Sequence, residues 1–494
     1  MPAIFALLSG CALTFAFAPY HWWGLGIFSL VSLCYLWLRP ECRRPGFIGF
    51  CFGLGYFSTG IYWVYISLYY YGDAPLIFAI LANIVLILFL SCFPLLIGWL
   101  LGKLSKPASY YRAFLIPLLW MSAELARAYI LSGFPWLSIG YSQLHALLDG
   151  LAPIAGVMAV GLALISLCTL IANGLLHRCW TSFFFSALLL VFILATKLFS
   201  FTIAVGKPFS VALIQGNVEQ DDKFSQDSQH KHLEDYITLT ATREESVIIW
   251  PETAITYFEN TLKDNVLAEL DKLTQAKKQA LITGILAQEG KQYYNAVISL
   301  GQANGRYYKN HLLPFGEYTP LASVFAIFND YVYIPLNGFS RGGSHQQLMT
   351  THGIPAGVSI CFEAAFGREI RHSLPNAQYL INVSNDAWFK DSIAAEQHLQ
   401  LNQMRALEMG REMARATNNG VSVFIDHKGY IQNRLPRFTQ DVLSGSIQPR
   451  IGLTPYAKFG NTIIAIVLIA YAIIAGLIFP WRNRYARTLP TQFD

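Results

Sequence analysis

Acidic residues almost vanish from the first part of this chain: Glu41, Asp73, Glu124 and Asp149 are the only ones before Lys207. A soluble domain is typically about one-quarter charged, because it must face water over its whole surface. So sparse a stretch predicts a bundle solvated by lipid. From Lys207 to about position 456 the charge density is ordinary, and a last apolar run covers roughly 459–480. The reading is therefore a transmembrane bundle over 1–206, a soluble domain over 207–456, and a closing span with a short basic tail over 457–494. Over all 494 residues, 54% are hydrophobic and 13% charged, and the net charge is +5. That charge suits anionic lipid, but it is too small and dispersed to argue for nucleic acid.

A hydrocarbon core of about 30 Å takes roughly twenty apolar residues per helix. Candidate spans lie near 3–19, 23–38, 47–70, 76–101, 113–131, 152–176, 180–200 and 459–480, about eight in all. The loops alternate in basic content: Arg39, Arg43 and Arg44; Lys103, Lys106 and Arg112; Arg178; Arg482, Arg484 and Arg487. The loops between carry almost none. The positive-inside rule puts these clusters in the cytoplasm with both termini, and the soluble domain outside it, which in a bacterium is the periplasm. Ala16-Phe17-Ala18 resembles a signal-peptidase site. Without a basic stretch before it, and with Pro19 directly after, an uncleaved first span is expected.

Past Ser210 the pattern changes to short β-branched and aromatic runs: SVALIQGN, SVIIWPE, ALITGIL, YYNAVISLG, AGVSICFE, YLINVSND and VSVFIDHKGYI. They alternate with helical stretches near 225–244, 261–278, 364–373 and 394–416, which predicts a layered α/β domain. No residues show metal-ligand spacing, and no cofactor motif is present.

Seven of the eight cysteines (Cys11, Cys34, Cys42, Cys51, Cys92, Cys168 and Cys179) precede Lys207. Cys361 is alone in the soluble domain, so it has no partner there for a disulfide and is either a core thiol or a used one. Two other strand ends carry ionisable groups: Glu252 closes SVIIWPE, and Lys309 lies in YYKNHLLPFGEY. Together the three supply what thiol acyl transfer needs, a nucleophile, a carboxylate base and a fixed cation. A free thiol is only about 3% ionised at pH 7, and an ammonium or a helix N-terminus would lower its pKa. Lys309 and the backbone N–H after Cys361 could hold an oxyanion, with Glu317 and Glu363 as candidate partners for the lysine. A Cys–His pair using His311 or His398 is the rival assignment.

At these residues the sequence resembles the nitrilase (carbon–nitrogen hydrolase) superfamily, whose Glu–Lys–Cys triad sits on an α-β-β-α sandwich. WPE, KNHLLPFGEY and ICFE match its motifs in order. The inserted arrangement, with GFPWLSIGYSQ, SRGG and SNDAWF, is similar to the apolipoprotein N-acyltransferase family. That resemblance implies transfer of an acyl chain from a phospholipid, usually phosphatidylethanolamine, to the N-terminal diacylglyceryl-cysteine of an apolipoprotein, in the bacterial inner membrane. It implies Glu252 as base, Lys309 as oxyanion cation, Cys361 as nucleophile, and Glu317 and Glu363 as supporting carboxylates. Phe362 stands where tyrosine is common in that family, and Phe224 where tryptophan can occur.

A membrane substrate also follows from physics. At about 0.8 kcal/mol per CH₂, a 16-carbon chain costs on the order of 12 kcal/mol to bring into water. The aromatic segment VFAIFNDYVYIPLNGF (324–339), with Phe325, Phe328 and Tyr331, is either a lid over such a chain or a core strand. Trp388, in SNDAWF, is a further candidate for substrate contact. Two other functions use the same parts: a membrane-tethered amidase or nitrilase with water as acceptor, and a non-catalytic lipid-binding scaffold.

Overall fold

The computed structural model describes residues 1–72, 74–106, 109–318 and 338–485. Phe325, Phe328 and Tyr331 lie outside them. The chain divides into two compact units. One comprises Met1–Gly60, Val85–Leu198 and Asn461–Asp494; the other comprises Ile61–Ile84 and Phe199–Gly460.

The first unit is helical. Leu76–Leu104, which runs into it, and Asp149–His177 are each 29 residues, with mean hydropathies of 2.9 and 2.5. At 1.5 Å per residue either is about 43 Å long, enough to cross a bilayer. Ile77, Leu81, Val85 and Leu88 on Leu76–Leu104 are exposed, as a lipid-facing surface requires. The expectation of about eight spans exceeds what length and hydropathy single out. Pro45–Gly60 and Val64–Tyr71 qualify only when joined as one bent span, and Pro2–Thr14, Trp23–Leu38, Trp180–Thr196 and Thr462–Leu477 are apolar but shorter. Tyr110–Arg127 carries Arg112, Glu124 and Arg127, all buried. Arg112 donates to the carbonyls of Trp37 and Ser105, each at 3.0 Å, which satisfies a charge that lipid would not.

Among its described residues the second unit holds two seven-stranded sheets. The first runs Asp441–Ile447, Phe209–Gln215, Val247–Ile249, Ala280–Glu289, Gln292–Gly301 and Arg306–Tyr308, with Ile255–Phe258 paired to Ala280–Glu289. The second runs Ile431–Arg434, Val423–Ile425, Met413–Thr417, Tyr379–Ser384, Ile354–Ile360, Met349–Thr351 and Ala303–Asn304. The central strands of each are parallel and nearly continuous in apolar residues, the signature of strands buried on both faces. Leu233 and Tyr236 of Gln226–Ala241 and Leu267 and Leu270 of Val266–Ala276 pack on Ile248, Leu281 and Ile285 of the first sheet. Leu399, Ala406 and Met409 of Ala394–Met409 pack on Leu380, Val423 and Ile425 of the second.

Three expectations for this domain change. The helix expected over 394–416 stops at Met409, where Gly410 takes a left-handed cap (φ +62°). Met413–Thr417 is a strand hydrogen-bonded on both sides; its residues favour helix intrinsically, and tertiary pairing overrides them. The helix expected near 364–373 is a 3-10 turn, Cys361–Ala365, followed by the short helix Gly367–Arg371. The single run 421–431 is a hairpin of Val423–Ile425 and Ile431–Arg434.

Candidate active site

Strand ends from both sheets meet at one place, where side chains leave the ladder free to converge. Glu252 follows Val247–Ile249 on a segment pressed against the next strand. A Cβ at Gly284 would lie 2.4 Å from Thr253 N and 2.7 Å from Glu252 Cα, so only glycine lets that segment pass. Lys309 follows Arg306–Tyr308, its N–H bonded to Asn295 O at 2.9 Å. Cys361 follows Ile354–Ile360 and turns the chain through φ +51°, a left-handed conformation uncommon for a residue with a side chain.

All three side chains are buried, Lys309 to 2% exposure. Its ammonium donates to Glu317 Oε1 at 3.0 Å and Glu252 Oε1 at 3.3 Å. Asn295 Nδ2 bridges the same two oxygens, at 2.9 and 2.8 Å. The other oxygen of each carboxylate accepts a backbone N–H: Asn385 to Glu252 at 2.9 Å, and Leu313 to Glu317 at 2.8 Å. Burial works against the ammonium, but the Glu252 and Glu317 charges outweigh it and raise the lysine above its ordinary pKa. The lysine is thus a fixed cation.

Glu363 does something different from the expected pairing with Lys309. It accepts the N–H groups of Asn310 at 2.7 Å, His311 at 3.0 Å and Ile360 at 2.7 Å, and the Tyr307 hydroxyl at 3.0 Å. It therefore clamps the strand end bearing Lys309 to the one bearing Cys361. Burial lifts its carboxyl to about 7 against those donors.

The thiol departs from expectation too. Burial, then the Glu252 charge, push Cys361 up to about 12, with Lys309 opposing. The turn and the ammonium do not overcome desolvation, and the resting group is a protonated thiol. Neither rival histidine serves it. His311 lies 3.7 Å from Glu369 and stacks on Phe366. His398 meets Asp386 and the backbone carbonyl of Cys361.

The other sequence candidates are placed as follows. Phe362 packs against Phe366 and His311, with centroids 5.2 and 5.9 Å apart. Phe224 is half-buried in the turn beside Lys223. Trp388 lies edge-on to Tyr71 at 5.6 Å, and its carbonyl accepts from Ser67 at 2.7 Å. Three residues near the triad went unread in the sequence: Asn295, Asn385 and Lys223. Lys223, 3% exposed, donates to the Glu252 carbonyl at 3.1 Å, and burial lowers it to about 8. Its charge offsets the second carboxylate of the cluster. A polar residue inside the apolar strand YYNAVISLG was a readable signal for Asn295.

Two family models match the chain: Carbon-nitrogen hydrolase over residues 210–456, and Apolipoprotein N-acyltransferase N-terminal domain over 9–170. Among curated relatives, the apolipoprotein N-acyltransferase of Methylococcus capsulatus is 39% identical over 490 residues, covering 98% of this chain and 97% of that protein. Those of Nitrosomonas europaea (38%, covering 98% of each) and Vibrio cholerae (34%, covering 99% of this chain and 98% of that protein) align nearly end to end.

Proposed function

The chain belongs to the apolipoprotein N-acyltransferase family, and from that premise we propose that it carries one acyl chain from a phospholipid to the α-amino group of a diacylglyceryl-cysteine, through a thioester on Cys361. The observation that carries this reading is Lys309, buried between two carboxylates, with Glu363 tying its strand end to the one that bears Cys361.

In the first half-reaction Sγ attacks the ester carbonyl of the donor while its proton passes to Glu252. Because the thiol is held up near 12, proton transfer accompanies attack and no standing thiolate is used. The carbonyl oxygen becomes an oxyanion held by the Lys309 ammonium and the Phe362 backbone N–H, each donor worth about 2.7–4 kcal/mol. Collapse breaks the C–O bond, Glu252 returns the proton to the leaving oxygen, and lysophospholipid departs. In the second half-reaction the acceptor amine attacks the thioester, Glu252 takes its proton, and the C–S bond breaks to regenerate the thiol. A free α-amine has a pKa of about 7.7–8.0, so a useful fraction is nucleophilic near neutrality.

The finer reading has phosphatidylethanolamine as donor and the Glu252, Lys309 and Cys361 domain (207–456) as an α-β-β-α sandwich outside the cytoplasm. About eight spans, in 1–206 and 457–494, hold it in a bacterial inner membrane with both termini cytoplasmic. Reporter fusions after Lys207 and near Asp494 test that topology and should read out oppositely.

The function is tested by incubating the purified protein in detergent with phosphatidylethanolamine and a diacylglyceryl-cysteine lipopeptide. Mass spectrometry should show N-acylated lipopeptide and lysophospholipid in equal amounts. Free fatty acid without acylated peptide would make the protein a hydrolase, and no turnover of either substrate would make it a scaffold.

A further inference from the structure

The histidine set aside as a base lies directly behind the nucleophile. His398 Nε2 lies 3.1 Å from the Cys361 carbonyl oxygen. A carbonyl can only accept, so Nε2 carries the proton and donates it. The other face of the ring is fixed by charge. Nδ1 lies 2.9 Å from Asp386 Oδ1, and Arg415 Nη2 meets Asp386 Oδ2 at 2.8 Å. Arg415 in turn donates to Asn382, its direct partner across the parallel strands Tyr379–Ser384 and Met413–Thr417. All four side chains are at most 2% exposed.

The Cys361 carbonyl and the Phe362 N–H belong to one peptide unit, which is planar, with C=O and N–H pointing in opposite directions. Whatever holds the carbonyl therefore aims the N–H. Building on the acyl-transfer reading above, we propose that His398 is a positioning residue: its Nε2–H pins the Cys361–Phe362 peptide plane, directing the Phe362 N–H at the oxyanion and holding Cys361 in its left-handed conformation. The turn behind it ties the base into the same frame. Asn385 N–H binds Glu252, and its neighbour Asp386 binds His398. Base and nucleophile are thus referenced to adjacent residues.

Replacements of different reach separate this role from simple packing. A glutamine amide can place its nitrogen where Nε2 sits, whereas an asparagine amide reaches only the Nδ1 position. The measurement is single-turnover acylation of the full-length protein by phosphatidylethanolamine, followed by intact mass across donor concentrations. His398→Gln should retain acylation within about tenfold of wild type. His398→Asn and His398→Leu should fall roughly 100-fold in the rate at saturating donor, the loss of one oxyanion donor, with half-saturation unchanged. Gln and Asn differ by one methylene, so a folding defect shared by both cannot produce that order. Wild-type rates in His398→Leu, or activity kept by Asn and lost by Gln, would overturn the proposal alone. Absence of any adduct on the wild-type protein would instead sink the acyl-transfer reading, and this one with it.

Discussion

Cys361 stands between two buried charge clusters of opposite design. On its side-chain side, Lys309, Glu252 and Glu317 converge from strand ends and a turn, with two carboxylates sharing one ammonium. On its backbone side, Asp386, His398 and Arg415 come in chain order from a turn, the helix after it and the strand after that. Both are buried, and each charge in either has a partner of opposite sign. Their geometry separates them. The first leaves a thiol and a carboxylate beside a cation, so a proton has somewhere to go. The second locks a carboxylate between the Arg415 guanidinium and the His398 ring. Although burial opposes ionisation, Arg415 and His398 hold Asp386 well below the usual carboxylate range. On the reading proposed above, buried charge does two jobs around one residue, chemistry in front and geometry behind.

The contrast breaks most visibly at the base. Glu252→Gln keeps the shape and the Asn385 contact but cannot take a proton, so thioester formation should slow by about 10²–10⁴ with the fold intact. A loss below tenfold in single-turnover mass measurements would move Glu252 out of the chemistry.

Lys309→Met should cost about 10²–10³ in acylation rate. It should also destabilise the domain by about 3–5 kcal/mol, because Glu252 and Glu317 are left buried and facing each other. Both readouts, rate and thermal unfolding, must move. Arg415→Met in the rear cluster should show a similar stability loss from the uncompensated Asp386, with a smaller drop in rate per folded molecule than Glu252→Gln. Equal rate losses would erase the distinction between the clusters.

A subtler effect concerns pH. Cys361 is raised to about 12, so its carbamidomethylation, followed by peptide mapping, should stay slow from pH 6 to 9 and climb about tenfold per unit without levelling. The sign for stability follows. Its folded pKa lies above the unfolded value of about 8.5, so the contribution is complete below that value and is lost as pH rises toward 12. The smallest change expected is Tyr307→Phe, about 1 kcal/mol of stability. Glu363 keeps its three N–H donors without the hydroxyl.

Part of the front cluster was readable in the sequence, because Glu252 and Cys361 each interrupt an apolar run, whereas Lys309 follows the polar strand Arg306–Tyr308. Each of WPE, KNHLLPFGEY and ICFE is a weak signal alone, and it is their combination and order that point to one site. The rear cluster was not. Ala394–Met409 is buried along its length, although Gln397, His398, Asn402, Gln403, Arg405 and Glu408 make it read as a solvated helix. Several of its polar groups find partners distant in sequence, such as Trp63 for Gln397 and Gly429 for Gln403, which no local pattern encodes. The same blindness ran the helix past Gly410 into a strand whose β character comes from its neighbours. Lys223, in the polar stretch VEQDDKF, looks like any surface lysine until folding buries it beside Glu252.

The central claim is that Cys361 is acylated, and intact-mass measurement of the protein with phosphatidylethanolamine and no acceptor tests it most directly. The wild-type chain should gain the mass of one acyl group, stable over minutes, released by hydroxylamine and discharged by a diacylglyceryl-cysteine peptide. Cys361→Ala should gain nothing. An equal adduct on Cys361→Ala, or normal transfer to the peptide by that variant, would contradict the account and return Cys361 to the core.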